Sequence, residues 1–197
     1  MSDLSAYVQW VPFVAGVWLL MRALLALQDE TMGFWPPADR KGSAYAGFIW
    51  PFRCLFWGLV ALTILSATRA APELGTACFA VGAALMIAGF GVAVLATLQL
   101  GWTTAFGEDG PLRRGGWFRY SRNPIYVATW AGQIGWALAF PTPPILAALA
   151  VWAGFYVAAI FLEERNLLKS HGAQFEIYKA QTARFLGFSH HFEQTEC

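Results

Sequence analysis

The chain has 197 residues, 57% of them hydrophobic and 13% charged, with a mean hydropathy of +0.48; ordinary soluble domains run at roughly 45–50% and about 25%, so the composition is that of a membrane protein. The net charge of +1 gives no reason to invoke a nucleic-acid partner. Three cysteines, Cys54, Cys78 and Cys197, lie far apart without a Cys-x-x-Cys, which argues against a disulfide framework or a zinc site, and Cys54 and Cys78 read as small apolar side chains in helices.

Val8 to Leu27 is an apolar run broken only by Arg22, about the ~20 residues needed to cross the hydrocarbon. Met1 to Tyr7 carry Asp3 and no Lys or Arg, so this helix is expected to be retained rather than cleaved as a signal. A polar loop follows from Gln28 to Ala46, with Asp39, Arg40 and Lys41 beyond a Trp35-Pro36-Pro37 turn placed at the membrane interface. Phe48 to Ala67 reads as the second helix, with Arg53 near enough to the surface to snorkel. Leu74 to Leu100 is the third, where Gly89, Ala93, Thr97 and Gly101 fall four apart and form a ridge of small residues that lets another helix, the favoured reading, or a ligand come close to the backbone.

Gly107 to Ser121 is a polar, Arg-rich loop that turns directly into an uncharged segment through Arg119-Tyr120-Ser121-Arg122-Asn123-Pro124-Ile125-Tyr126. Pro124 suits the first turn of the next helix, where its missing N–H costs nothing, and Asn123 is placed as its N-cap. Free N–H groups at that helix start, with two guanidiniums nearby, make an anion site for a carboxylate or a phosphate. Ile125 to Leu162 contains no charged residue, and Pro141-Thr142-Pro143-Pro144 divides it into a hairpin of the fourth and fifth helices. In its second arm Ala150, Gly154 and Ala158 repeat at four. No breaker follows until Gly172, so the fifth helix is expected to emerge from the membrane through Glu163-Glu164 and end there. A last helix, Ala173 to Leu186, carries Phe175, Tyr178, Phe185 and Leu186 at helical spacing and is expected at the surface, capping the site.

The expected architecture is therefore all-α: a single integral-membrane domain of about five membrane helices, with helices one and two over 8–72, a core over 74–187 and a C-terminal cytosolic helix. With the N-terminus outside, twelve Lys and Arg residues fall on the cytosolic side and only Arg69 outside, which places the Arg-rich loop, the Glu pair and the last helix on one cytosolic face. Glu163 and Glu164 point about 100° apart on a helix, so one of them faces inward easily. They are candidates either for an ion pair with Arg119, Arg122 or Arg165 or for a ligand contact. Cations, a helix start, aromatic rings and carboxylates together are complementary to a zwitterionic, partly aromatic ligand such as S-adenosylmethionine.

Arg122-Asn123-Pro124-Ile125-Tyr126, then a hairpin, then Glu163-Glu164-Arg165-Asn166-Leu167-Leu168, then Gly172, Phe175 and Tyr178, then Arg184-Phe185-Leu186 resemble the isoprenylcysteine carboxyl methyltransferase and phospholipid N-methyltransferase superfamily. The resemblance covers Gly89 to Gly187, and Gly89-Phe90-Gly91 is similar to the Gly-x-Gly that the phospholipid enzymes carry before their Glu pair. It implies a membrane methyltransferase that holds S-adenosylmethionine between loop, hairpin and last helix. The acceptor, a lipophilic small molecule or lipid, would enter from the lipid side. By position the cofactor would touch Gly89 and Gly91, Gly110, Pro111, Leu112 and Arg113, Phe118, Asn123, Pro124, Ile125 and Tyr126, and Glu163. From the chemistry of the groups, Arg122 and the turn amides suit the methionine carboxylate, Glu163 or Glu164 the ammonium or ribose, and Phe118 or Tyr126 the adenine or sulfonium. Arg122, Glu163 and Glu164 are the expected catalytic set, with no obvious general base.

Four departures bear on the acceptor: Asn123 stands where the prenylcysteine enzymes have His, Ala128 where Gly is usual, Ala159 where an Arg serves the substrate, and Gly187 where Pro is usual. They keep the cofactor site and speak against prenylcysteine. Membrane sterol reductases share an Arg-His-Pro-x-Tyr turn but bind NADPH, which makes an oxidoreductase the competing enzyme; a non-catalytic scaffold is the competing non-enzyme. A metal site at His171, His190 and His191 is not expected, because the pair sits in a tail.

Overall fold

The computed structural model describes residues 7–29, 31–32, 34–35, 42–69, 75–106 and 110–187. Residues 1–6, Pro36, Pro37, Asp39 to Lys41, Glu108, Asp109 and the His190-His191 pair lie outside the described residues. All regular structure among the described residues is helical: α1 (Val11–Gln28), α2 (Ser43–Arg69), α3 (Thr76–Leu100), α4 (Trp102–Ala105), a 3-10 turn (Gly116–Arg119), α5 (Pro124–Ala139), α6 (Pro143–His171) and α7 (Ala173–Gln181). The structure is a multi-pass helical bundle, as its apolar segments require. The helices α1, α2, α3 and α6 are each long and apolar enough to cross a membrane; α5, at 16 residues, reaches about 24 Å at ~1.5 Å per residue.

Side-chain size decides which helices meet. Along α1 the buried Gly16, Leu19, Ala23 and Ala26 recur at helical spacing and face α6, where Gly16 lies against Val151 and Gly154 against Leu20. The two helices are parallel, since residue numbers rise together along both. Helices α3 and α5 run antiparallel in near-backbone contact: Gly82 meets Gly135 and Ala139, and Gly89 meets Gly132 and Ala128, with no room for a Cβ on either side. Of the small-residue ridge on α3, Gly89 makes this packing, whereas Ala93 and Thr97 line an apolar groove. Trp136 of α5 donates to the Thr63 hydroxyl of α2 at 2.7 Å, fastening the pairs together. Half of the most apolar window of α6 is buried, against 17% in α3, so α6 is the central helix.

These directions gather the C-terminal ends of α1, α3 and α6 and the starts of α2 and α5 at one end. Most of the described Arg and Lys residues lie towards that end, with Arg69 at the other end of α2. Arg165 of α6 donates to the Ala26 carbonyl at 2.7 Å and the Leu27 carbonyl at 3.4 Å, satisfying the last turn of α1. Arg53 is exposed and lies 5.4 Å from the Trp50 ring, as a snorkelling side chain should.

Two elements differ from their expectation. Helix α2 begins at Ser43 rather than Phe48 and runs through Pro51. Helix α7 ends at Gln181 rather than Leu186, because Thr182 turns extended and the segment after it runs beside residues 120–123. There Arg122 N–H donates to the Ala183 carbonyl and Gly187 N–H to the Tyr120 carbonyl. Cys54 and Cys78 sit in α2 and α3 and are exposed.

Candidate active site

Asn123 occupies the N-cap position of α5, but its side chain makes no cap. Its amide donates instead to the Arg184 carbonyl at 3.1 Å and to Glu164 Oε1 at 3.4 Å, so no side chain caps the first turn of α5. Ser121 Oγ receives the Asn123 N–H at 3.0 Å.

Glu164 is the centre of a buried charge cluster. Arg122 reaches its Oε1 through Nε and Nη2, both at 3.2 Å, and Arg184 reaches both oxygens at 2.8–3.1 Å. Arg122 Nη1 also donates to the Lys179 and Thr182 carbonyls at 2.9 and 2.7 Å. The Arg122 guanidinium thus stands at the edge of the cavities with most of its donors committed. Arg184 lies 4.7 Å from the Phe161 ring. Of the three arginines considered for the Glu pair, only Arg122 meets it: Arg119 lies over Tyr120 and Arg165 turns to α1.

Glu163 points the other way and is half-buried. Its Oε1 accepts from the Trp35 indole at 2.9 Å, and Tyr126 shares a cavity wall with it. The Tyr126 ring meets Tyr156 edge-on at 4.6 Å. Glu163 stands in the shared wall of two cavities. One is polar, about 110 Å³, between Gly110–Arg113 and the face of α6 that carries Glu163, Asn166 and Ser170. The other is aromatic, about 150 Å³, with Trp35, Phe48, Phe118, Tyr126, Phe155 and Tyr156 in its wall. Phe118, Arg122 and Asn123 border both. Beyond the aromatic chamber, Phe52, Thr97, Phe106, Ile125 and Tyr156 also line an apolar groove of about 650 Å³ between α2 and α3.

The loop side of the polar chamber is held from both ends. Gln99 at the end of α3 donates to the Gly115 carbonyl and accepts from Trp117 N–H, both at 3.1 Å, around a Gly116 whose φ of 60° suits glycine. Tyr178 of α7 donates to the Phe118 carbonyl at 2.6 Å, and burial pushes its hydroxyl pKa up from 10.0.

The structure therefore brings Gly110, Pro111, Leu112, Arg113, Phe118, Arg122, Asn123, Pro124, Ile125, Tyr126 and Glu163 to the two chambers. It does not bring Gly89 or Gly91 there: Gly89 is packed against Gly132, and Gly91 faces open space on an exposed face of α3. Asn166 and Ser170 were readable as the i+3 and i+7 companions of Glu163. Trp35, 128 residues away from Glu163, carried no such signal.

Residues 77–174 match the phospholipid methyltransferase family model. The chain belongs to the superfamily of integral-membrane methyltransferases that contains this family. The family's chemistry is methyl transfer to lipid, and the matched half runs from α3 to the first residues of α7. It contains the polar chamber's loop and both glutamates, whereas Trp35, Phe48 and Phe52, which close the aromatic chamber, come from outside it. Neither a curated protein nor a solved structure matches the chain.

Proposed function

We propose that the protein is an S-adenosylmethionine-dependent methyltransferase whose lipophilic acceptor reaches it from the bilayer. The observation that carries this reading is the position of Glu163 in the common wall of a polar and an aromatic chamber, with an apolar groove beyond. When bound, the cofactor supplies a methyl group activated on a sulfonium.

The residues fit such a ligand. Glu163 offers a half-buried carboxylate to an ammonium. The uncapped first turn of α5, with the Arg122 charge behind it, offers N–H groups and positive potential to a carboxylate. Phe118 and Tyr126 offer ring faces to a cation. Either chamber alone is smaller than the ~300–1,000 Å³ of a typical small-molecule pocket, so a ligand carrying both an amino acid and a nucleoside uses both, past Glu163. Glu164 acts as a positioning residue, holding Arg122 and Arg184 in place. Methyl transfer by in-line displacement asks mainly for alignment and exclusion of water, which the aromatic wall from Trp35 to Tyr156 favours. The acceptor's apolar part lies in the groove and its reacting group in the aromatic chamber. The concentration of Arg and Lys towards this end supports a cytosolic placement for it, with the N-terminus outside.

The test is titration of the protein in lipid nanodiscs with S-adenosylhomocysteine and, separately, NADPH. The first ligand is expected to bind and the second not; Glu163→Gln is expected to weaken binding on the order of tenfold while leaving the thermal midpoint in place. Binding of NADPH alone would replace this reading by a reductase, and binding of neither by a scaffold.

A further inference from the structure

His171 is the last residue of α6 and lines the polar chamber but not the aromatic one. Its Nε2 lies 3.2 Å from the Gly110 carbonyl oxygen. A carbonyl only accepts, so Nε2 carries the proton, and in the neutral ring Nδ1 keeps its lone pair. Nδ1 is buried and has no partner among the described residues. The carbonyl that fixes the ring is itself well placed, because Gly110 sits so close to Thr104 that a Cβ there would meet its hydroxyl oxygen at 2.6 Å. The result is a buried, bare acceptor on a ring that lines a polar cavity together with Asn166 and Ser170. A buried acceptor without a donor is costly, and a ligand that brings one removes that cost.

We propose that His171 is a ligand-binding residue whose Nδ1 accepts a hydrogen bond from the nucleoside part of the methyl donor, either a ribose hydroxyl or the adenine amino group. The inference rests on the S-adenosylmethionine reading above and extends it. Glu163 borders both chambers and serves the end of the ligand near the acceptor, whereas His171 borders only the polar chamber and serves the end remote from it. The same ring ties the Gly110 loop to the end of α6, so cofactor recognition and closure of the loop share one side chain.

The experiment compares S-adenosylhomocysteine with analogues lacking the 2′-hydroxyl, the 3′-hydroxyl or the 6-amino group, titrated calorimetrically into the full chain in nanodiscs. With the natural chain, one analogue is expected to bind on the order of tenfold more weakly than the parent, and its identity names the donor. His171→Gln keeps a donor near the Nε2 position and lacks an acceptor at Nδ1; it is expected to bind the parent about tenfold more weakly and to lose the discrimination against that analogue. His171→Asn keeps an acceptor near Nδ1 and lacks the tether to Gly110; it is expected to keep the discrimination. Thermal midpoints in the same nanodiscs report the folding of each variant. The proposal is overturned if the natural chain binds all analogues alike, if His171→Gln still discriminates, or if both variants weaken every ligand equally, which is the signature of a tether alone. Failure of the natural chain to bind S-adenosylhomocysteine at all removes the methyltransferase reading and this one with it. Binding by the natural chain that His171→Gln leaves unchanged removes only the role of His171.

Discussion

Glu164 accepts hydrogen bonds from two guanidiniums and an amide and is 9% exposed, whereas Glu163, one residue earlier, has an indole as its hydrogen-bond donor among the described residues and faces two cavities. The same side chain, on neighbouring positions of the same helix, closes a charge cluster on one face and, in the function proposed above, meets a ligand on the other. The difference lies in what surrounds them: full-strength cations close on Glu164, while the donor that Glu163 meets among the described residues is a neutral indole, which leaves its charge to offer. A carboxylate held by two arginines is a fixture, and one held by a neutral donor is a candidate for exchange with a cationic ligand group.

That contrast can be broken most sharply at Glu164. Glu164→Ala leaves Arg122, whose side chain is 8% exposed, without its counter-charge, and removing one partner of a buried pair costs on the order of 3–5 kcal/mol. A large fall in the thermal midpoint of the purified protein is expected, with loss of ligand binding as its consequence. Glu163→Gln is expected to do the reverse, holding the midpoint and losing affinity, and equal destabilisation by the two changes would erase the distinction. Next in size is Gly89→Leu, which forces α3 from α5 and is expected to cost about 1–3 kcal/mol or more; Gly91→Leu, facing open space, is expected to leave the midpoint within ~0.5 kcal/mol. Trp35→Phe removes one neutral donor from Glu163 and is expected to cost about 1 kcal/mol of stability, read from the same melts. The smallest effect concerns pH. The native Tyr178 hydroxyl holds its proton above 10.0, so its contribution is complete below pH 10 and is lost as pH rises towards the native value. Alkaline titration of the melting midpoint should show a decline from about pH 10 that Tyr178→Phe flattens.

Much of the fold was legible because apolar length and breakers are local properties. Gly172 could be identified as the end of α6 because no earlier residue stops the helix, and it is there, with a φ of 49°. The ridge on α3 was read as a surface for close approach; its Gly89 packs on α5, while Ala93 and Thr97 line the apolar groove. The site was legible in part. Gly110 to Arg113, Phe118 and the Asn123 to Tyr126 turn do converge, but the roles within the Arg-rich turn depended on partners distant in sequence. Asn123 has the chemistry of an N-cap, yet Glu164 and the Arg184 carbonyl compete for its amide and win. Arg122 has the chemistry of an anion receptor, yet four carbonyl and carboxylate contacts engage it first. The end of α7 was misplaced for the same reason: helical spacing in residues 182–186 is outweighed by backbone pairing with residues 120–122. Trp35 and Phe48 could not be foreseen as walls of the chamber, since nothing local in a loop or a helix start states which distant cavity it will face.

The segment from Thr182 to Gly187 lies alongside residues 120–123 and receives the Arg122 side chain. During synthesis the turn that opens α5 leaves the ribosome some sixty residues before the segment that pins it. The apolar helices can therefore be handed to the bilayer while the Arg-rich turn is still unheld, and the chambers take their final form only after the last helix has been made. A chain stopped just after Gln181 would be inserted and still have no finished site.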